Sequence, residues 1–471
     1  MKASYGFIFG LGLSALASAA SAEEATPLRI DEVTASVDRS YPALRAALRE
    51  TDIADAELRS AKGAFDPSWR TSVNGDPVGY YKEFRVSTEV QVPTPLWGTT
   101  FWAGWGYGDN DFPSYYGNYV TNAAGEARIG ASIPFWRNGP IDRRRANIDR
   151  AELGRTLATV SIDQQKIEIT RAATLRYWDW VAAGRRRSVA QALLEIAVSR
   201  DAGIAARVEH GDIPTIERTD NSRAIVQRQG FVISAQRDVE RTAIELSLFY
   251  RDDRGQPVIV SAVRLPDALP EPVALDPGTI QRDSTAAKDK RPEVRRFILQ
   301  QQQTEIERRW AANQMAPGVD VRILGSADLG RNPDPTNYSR NQPELEMGLV
   351  VDIPILNRAN DGRVKAADAQ ITRLEDQKRL MQDRVGAEVS DALSALEASR
   401  QRVLVARREV GLATELENAE RQRFELGDST LLVVNLREQA TAESKLREID
   451  ALVDYQRALA NYRASTMTQR K

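Results

Sequence analysis

The sequence RVEHGD at residues 207–212 is repeated, with two changes, as RFELGD at residues 423–428. Each copy ends a long charged run with helical spacing. Glycine adopts the positive φ that ends a helix, and we expect the aspartate after it to cap the helix that follows. The repeat therefore predicts two helix–turn–helix units: long helices over about 141–209 and 363–425, turns at 210–214 and 426–430, and returning helices over 215–250 and 431–462.

Prolines mark the predicted strand–helix junctions, which are Pro67, Pro134, Pro317 and Pro354. Proline fixes φ and has no N–H for a sheet, so it suits the point at which a strand gives way to a helix. Barrel strands are predicted within about 68–136 and 318–353. The first interval is longer, since 67 residues separate the first pair of prolines and only 37 separate the second pair.

The segments beside these prolines alternate between apolar and polar residues. In one of them, Val319, Val321 and Ile323 fall on one face, whereas Asp320 and Arg322 fall on the other. Alternation over about ten residues is typical of transmembrane barrel strands, which face lipid on one side and water on the other. The first interval holds two further alternating runs, at 84–92 and 101–107, and the sequence leaves open whether they join the barrel.

Tryptophans are concentrated in the same interval, which contains five of the eight: Trp69, Trp97, Trp102, Trp105 and Trp136. Aromatic rings at this density fit the girdles that barrel proteins place at the membrane interfaces. The alternative is the aromatic core of a soluble β-sandwich. The polar face of the flanking strands favours the girdle.

The strands, long helix and returning helix form a unit that the chain carries twice. The first repeat covers 23–255, and the second covers 279–466 and opens with a helix over about 279–315. A proline-rich crossover at 256–278 separates them. Residues 1–22 have the charged start, apolar centre and Ala-Ser-Ala end of a secretory signal peptide, so we expect an exported protein.

The composition excludes several kinds of chemistry. The sequence has no cysteine, and its only histidine is His210. Disulfides and thiolate sites are therefore excluded, and neither a His-based metal site nor a Ser-His-Asp triad is expected. Lys and Arg number 64 against 66 Asp and Glu, so no basic field for nucleic acid is expected either. We expect no enzyme activity, no metal and no cofactor.

The sequence resembles the TolC-like outer-membrane efflux protein family over nearly the whole mature chain. The resemblance rests on the opening helix at 28–33 with Tyr41-Pro42, on the runs 133–146 and 353–366, and on 424–427. It implies an α+β membrane protein with an internal two-fold structural repeat. Three copies would each give four strands to a twelve-stranded transmembrane β-barrel, continued by a long α-helical barrel in the periplasm.

The resemblance also assigns roles to the turns and to the residues just inside them. The turn residues that would dock a periplasmic adaptor protein are Gly211, Asp212, Gly427 and Asp428. The residues that would line the periplasmic aperture are Glu217, Arg218 and Asp220 in the first repeat, and Val433, Asn435, Leu436 and Arg437 in the second. Only the first set contains acidic residues. Three interpretations of these positions therefore remain open: an acidic ring, an apolar constriction, or helix faces that are only solvated.

The predicted function is a passive export duct in the cell outer membrane, with its helical part in the periplasm. Its partners would be two further copies of the chain, outer-membrane lipid, a periplasmic adaptor of the membrane-fusion type and, indirectly, an inner-membrane transporter. The alternative is a soluble periplasmic coiled-coil adaptor or scaffold, because heptad spacing alone does not distinguish a stalk from a channel wall. The cargo is not predicted.

Overall fold

The computed structural model describes residues 26–78, 82–110, 120–332 and 342–468, so the predicted signal peptide lies outside the described residues. The helices are α1 (Ile30–Ser40), α2 (Pro42–Lys62), α3 (Arg143–Glu209), α4 (Thr215–Ser247), α5 (Pro277–Lys290), α6 (Pro292–Asn313), α7 (Arg358–Glu425) and α8 (Leu431–Thr466). The strands are β1 (Ser68–Asp76), β2 (Glu83–Pro93), β3 (Thr100–Asn110), β4 (Glu126–Pro134), β5 (Gly318–Asp328) and β6 (Glu344–Asp352).

The two repeats have the same order of elements: two shorter helices, strands, a long helix and a returning helix. Pro42 and Pro292 lie in the first turn of α2 and α6, where a missing N–H costs no helical hydrogen bond. The prediction of one helix over 279–315 is wrong. Proline disfavours helical backbone in the residue before it, and Arg291, with ψ of 138°, separates α5 from α6.

The long helices form two antiparallel hairpins, in which α3 packs along α4 and α7 packs along α8. With 67 and 68 residues, α3 and α7 are each about 100 Å long at 1.5 Å per residue. The start of α7 at Arg358 precedes the predicted start by five residues. Among the described residues, no helix has both the length and the apolarity required to span a membrane.

The largest hydrophobic core lies near the middle of α3, where the two hairpins meet. Trp180 and Val181 of α3, Leu246 of α4 and Val403 of α7 are fully buried there. Such long helices depend on tertiary packing rather than on helix propensity. This core therefore holds the hairpins together as one body.

The six strands form one antiparallel sheet in the order β1-β2-β3-β4-β5-β6. The runs 84–92 and 101–107 lie in β2 and β3, which are inside the sheet because β1 pairs with β2 and β3 pairs with β4. The expectation of four strands per chain is therefore wrong, since six strands lie in one sheet. The pairing of β4 with β5, from Glu126↔Asp328 to Pro134↔Asp320, joins the two repeats.

Candidate channel wall and helical tips

The register of the sheet keeps one face apolar and the other polar across all six strands. One row of paired residues consists of Trp69, Val90, Ala103, Ile129, Gly325 and Leu345. The adjacent row consists of Arg70, Glu89, Gly104, Arg128, Ser326 and Glu344. Successive residues of a strand point to opposite faces, so a shift of any strand by one residue would carry charges onto the apolar face.

The apolar face is left uncovered by the described part of the chain. Trp69, Leu345 and Leu349 are 78%, 71% and 65% exposed. A contiguous apolar surface larger than a few hundred Å² marks a membrane or protein interface. The strands are 9 to 11 residues long, which is the length of a transmembrane strand. The apolar face is therefore suited to contact lipid.

The polar face carries paired charges. Arg85 pairs with Glu83 on β2, and Arg128 pairs with Glu126 on β4. None of these four side chains is fully buried, so water reaches them. An interior face that is polar and hydrated is the hallmark of barrels that enclose an aqueous channel.

The tryptophans divide between the two faces and one end of the sheet. Trp69 and Trp105 lie on the apolar face. Trp97 and Trp136 lie at the end of the sheet nearest the helices, where Trp97 Nε1 donates a 3.3 Å hydrogen bond to the carbonyl of Phe135. The girdle prediction is wrong for Trp102, which pairs with Gly130 on the polar face.

The structure places the four junction prolines between sheet and helices: Pro67 and Pro317 directly precede β1 and β5, Pro134 ends β4, and Pro354 lies between β6 and α7. Shortly after Pro134 and after Pro354, an asparagine adopts a positive φ, which is 68° at Asn138 and 41° at Asn357. Asparagine tolerates this conformation better than most residues. It turns the chain from the strand into the long helix in both repeats.

The long helices are fixed beside the sheet by one tryptophan of α6. The guanidinium carbons of Arg143 on α3 and Arg363 on α7 lie 4.7 Å and 5.4 Å from the ring centroid of Trp310. Each arginine is nine residues beyond its junction proline, so the two are equivalent in the repeats. Cation–π contacts of this kind hold the N-terminal ends of both long helices against the same ring.

The two helical tips, residues 210–214 and 426–430, share one hydrogen-bonding pattern. Gly211 and Gly427 have φ of 79° and 85°, which confirms the predicted positive φ. The amide of Asp212 donates to the carbonyl of Arg207 at 2.9 Å, and the amide of Asp428 donates to that of Arg423 at 2.8 Å. The C-cap residues are His210 and Leu426. Each bond runs from the second residue after the C-cap to the third residue before it, which defines the Schellman motif.

The predicted capping by the aspartates is wrong. Helices α4 and α8 follow Pro214 and Thr430, and neither has a side-chain cap. Asp212 and Asp428 lie two residues before these positions, because the Schellman turn uses their amides to finish the preceding helix. Both aspartates are exposed, and a Cβ added at either tip glycine would meet open space.

The tips lie side by side. Arg207 lies in the last turn of α3, before the first tip, and Phe424 lies in the last turn of α7, before the second tip. The guanidinium carbon of Arg207 is 5.5 Å from the ring centroid of Phe424. Phe424 occupies one of the two positions at which the repeated hexapeptides differ. This contact between the two hairpins therefore uses a residue that differs between the two repeats.

The structure distributes the seven predicted aperture residues over several environments: Arg218, Leu436 and Arg437 are exposed, Glu217, Asp220 and Val433 are half-buried, and Asn435 joins a buried cluster. Asp220 lies 3.3 Å from the Nε of Arg223 on its own helix. Their role at a periplasmic aperture stays a prediction.

A buried ionic cluster lies behind the tips. Glu438 of α8 accepts 2.9 Å hydrogen bonds at Oε2 from Arg200 of α3 and Arg228 of α4. Arg421 of α7 lies 3.8 Å from its other oxygen. The amide oxygen of Asn435, one turn earlier, accepts from Arg200 and Arg228 at 3.2 Å and 3.3 Å. Four helices thus meet at one carboxylate.

Sequence reasoning identified Asn435 but missed Glu438. The spacing of Glu438 in the sequence could have identified it. Glu438 lies seven residues after Leu431 and four residues after Val434, and these two apolar side chains are buried. A single carboxylate within an apolar helical stripe is expensive to bury without partners. Such a position predicts buried arginines on the facing helices.

A duplicated strand–helix unit, a two-faced sheet and two long helical hairpins together define the fold class of outer-membrane channel proteins. The open-state MtrE outer membrane channel of Neisseria gonorrhoeae matches with a TM-score of 0.63 at 15% identity, over 93% of this chain and 88% of MtrE. The outer membrane protein VceC of Vibrio cholerae matches with a TM-score of 0.62 at 13% identity, over 93% and 95%.

The outer membrane channel CmeC of Campylobacter jejuni matches with a TM-score of 0.60 at 11% identity, over 93% of this chain and 85% of CmeC. No protein-family model matches the sequence, and no curated protein is significantly similar to it. The prediction of a TolC-like fold is confirmed, since the similarity extends over nearly the whole of each structure.

Proposed function

We propose that the chain is one protomer of an outer-membrane channel, a passive duct from the periplasm to the cell exterior. The observation that carries the proposal is the two-faced sheet that continues into long helices. The apolar row from Trp69 to Leu345 and the polar row from Arg70 to Glu344 each cross all six strands, and β4 and β6 lead into α3 and α7.

Each face of the sheet has a distinct role in this proposal. The apolar face contacts lipid, and the polar face lines the lumen. Backbone groups in lipid must be hydrogen-bonded within the protein, which the ladders between neighbouring strands achieve. The helices, each about 100 Å long at 1.5 Å per residue, extend the duct through the periplasm.

The duct does no chemistry, and its energy is supplied by its partners. We assign it as a homotrimer that receives cargo from a periplasmic adaptor, which in turn links it to an inner-membrane transporter. The tips support this assignment, because two equivalent, exposed turns lie side by side at the end of the hairpins. The adaptor-docking residues are then Gly211, Asp212, Gly427 and Asp428.

A soluble periplasmic adaptor or scaffold is disfavoured by the uncovered apolar face. In β6 alone, Leu345, Met347 and Leu349 are all exposed on that face. A soluble protein with such a strand would aggregate unless a partner covered it.

The first test is fractionation followed by reconstitution. The full chain, expressed with its own signal sequence, is expected in the outer-membrane fraction, to require detergent for extraction, and to conduct ions in a planar bilayer. A protein that stays in solution without detergent, or that never conducts, would overturn the proposal.

The adaptor assignment is tested by cross-linking in intact cells. A photoreactive group is attached to Asp212→Cys or Asp428→Cys, and Glu152→Cys, exposed near the opposite end of α3, serves as the control. We expect both tip variants to capture a periplasmic protein with a helical hairpin and the control to capture none. Capture at Glu152→Cys alone would contradict docking at the tips.

A further inference from the structure

The sheet has two open edges. β1 pairs only with β2 and β6 only with β5 among the described strands, so each has a second side without a ladder partner. Both strands are nine residues long. Unpaired N–H and C=O groups are not tolerated against lipid, and an open edge is a template for another strand. In a membrane these edges must therefore be paired.

The directions of the edge strands identify a second copy of the chain as the partner. β1 leads away from helix α2, and β6 leads back toward helix α7, so the two run antiparallel. When β1 of one copy lies beside β6 of the next, the antiparallel order of the sheet continues without a break. Because each copy contributes an even number of strands, a closed ring keeps every pair antiparallel.

The faces of the edge strands restrict their register. On β1 the apolar face carries the odd-numbered residues, such as Trp69 and Val73. On β6 it also carries odd-numbered residues, such as Leu345 and Leu349. A pairing that keeps the apolar face in lipid must therefore join odd-numbered residues with odd-numbered ones and even-numbered residues with even-numbered ones. A shift of one residue would move every side chain of the strand to the opposite face.

The hairpin of β2 and β3 is an integral part of the sheet. β1 has no pairing with β4, so the hairpin is the only connection between the first strand and the rest of the described sheet. Its turn is also anchored: the amide of Thr94 donates to the carbonyl of Thr99 at 2.9 Å, and Trp97 Nε1 donates to the carbonyl of Phe135 at 3.3 Å.

We infer that three copies close an eighteen-stranded barrel, in which β6 of each copy pairs with β1 of the next in an odd-to-odd register. The inference rests on the proposed function for the copy number. It replaces the twelve strands that the family resemblance implied, since the structure gives six strands to each chain. With strands ~4.8 Å apart and tilted by about 40°, the barrel is about 36 Å wide between backbones, against about 24 Å for twelve strands.

Cysteine cross-linking tests the edge pairing, because the chain has no cysteine of its own. Ser68→Cys is combined with Gly348→Cys, Val350→Cys or Asp352→Cys on the same face of β6, and with Leu349→Cys or Val351→Cys on the other. We expect at least one same-face pair to give covalent trimers and no opposite-face pair to do so. Trimers from the opposite-face pairs, covalent dimers as the end product, or no cross-link from any pair would overturn the inference.

Fluorescence quenching tests the strand count. A dye on Val86→Cys, on the apolar face of β2, is expected to be quenched by nitroxide-labelled lipid and not by iodide. A dye on Ser87→Cys, its neighbour on the polar face, is expected to show the reverse. Iodide quenching at both positions would place the hairpin outside the lipid-facing wall and overturn the eighteen-strand barrel.

The two failures are distinguishable. A protein that remains in the outer membrane and conducts, but shows iodide quenching at both positions, retains the proposed function and loses only the strand count. A protein that is soluble loses the proposed function itself.

Discussion

Arg228 of α4 donates a 2.9 Å hydrogen bond to the carboxylate of Glu438 on α8, and the two side chains are only 7% and 0% exposed. The same oxygen accepts from Arg200 of α3. This pair joins the two hairpins behind the tips, and none of its residues belongs to the main hydrophobic core. A buried ion pair is weak evidence for stability, but removing one partner leaves the other charge buried and unpaired.

Replacing Glu438 with glutamine is expected to destabilise the helical end of the molecule. The substitution leaves Arg200 and Arg228 without their counter-charge, at a cost of about 3–5 kcal/mol. Hydrogen exchange should increase in 193–228 and 417–442 more than in the main core. Glu443→Gln, an exposed carboxylate on the same helix, is the matched control and should leave exchange unchanged. Equal exchange in both variants would contradict the role of the cluster.

Replacing either tip glycine with alanine is expected to destabilise the protein through the backbone alone. The positive φ of Gly211 and Gly427 disfavours a Cβ by about 1–2 kcal/mol, although open space surrounds both positions. Gly203→Ala and Gly411→Ala are the controls, since these exposed glycines lie within helices α3 and α7 and also have open space around them.

Because alanine is the better helix former, the two control variants should gain about 0.5–1 kcal/mol each. The free energy of unfolding, measured in detergent, should therefore decrease for the two tip variants and increase for the two control variants. Stabilisation by Gly211→Ala or Gly427→Ala would show that the tips do not need the left-handed conformation.

Charge on the apolar face is expected to impair assembly in the membrane. Leu349→Arg places a guanidinium where the proposal has lipid, at a cost of about 2–4 kcal/mol near the bilayer midplane. Val350→Arg, the next residue, places the same group on the polar face. The yield of detergent-extracted, outer-membrane protein should fall for the first variant and stay near the wild-type level for the second. Equal yields would contradict the assignment of the two faces.

The junction of α5 and α6 is expected to make stability depend on pH. Arg291 Nη2 donates a 2.6 Å hydrogen bond to Glu293, and its Nη1 donates a 2.8 Å bond to Glu388 on α7. Burial by itself would raise the pKa of Glu293, but the hydrogen bonds and charge of Arg291 hold that pKa below the ordinary value of 4.5.

A carboxylate whose pKa is lowered in the folded state stabilises the fold above its unfolded-state pKa, and this contribution disappears as pH falls through the folded value. As the pH decreases below about 4.5, the Tm of the wild type should therefore decrease. Glu293→Gln should have a lower Tm at neutral pH and a shallower fall, whereas Glu443→Gln should follow the wild-type curve. Parallel curves for all three would exclude Glu293 as a source of the pH dependence.

The features predicted correctly from the sequence are local ones. The positive φ of Gly211 and Gly427 follows from the residue type at the end of a long helical run. The alternation in 319–323 identifies a strand and both of its faces, because side-chain direction in a strand is set by the backbone. The capping prediction failed for Asp212 because the Schellman turn adds two residues before α4 begins, which composition does not reveal.

The sequence by itself determined the duplication, the long helices, the sharp turns and the amphipathic strands, since each depends on interactions between residues close together in the chain. Only the tertiary structure decided that β2 and β3 belong to the same sheet as the other strands, that β4 pairs with β5 across the two repeats, and that Glu438 meets Arg200 and Arg228. These contacts join residues that are far apart in the sequence. They are selected by the burial of faces and charges in the folded whole, which no local pattern encodes.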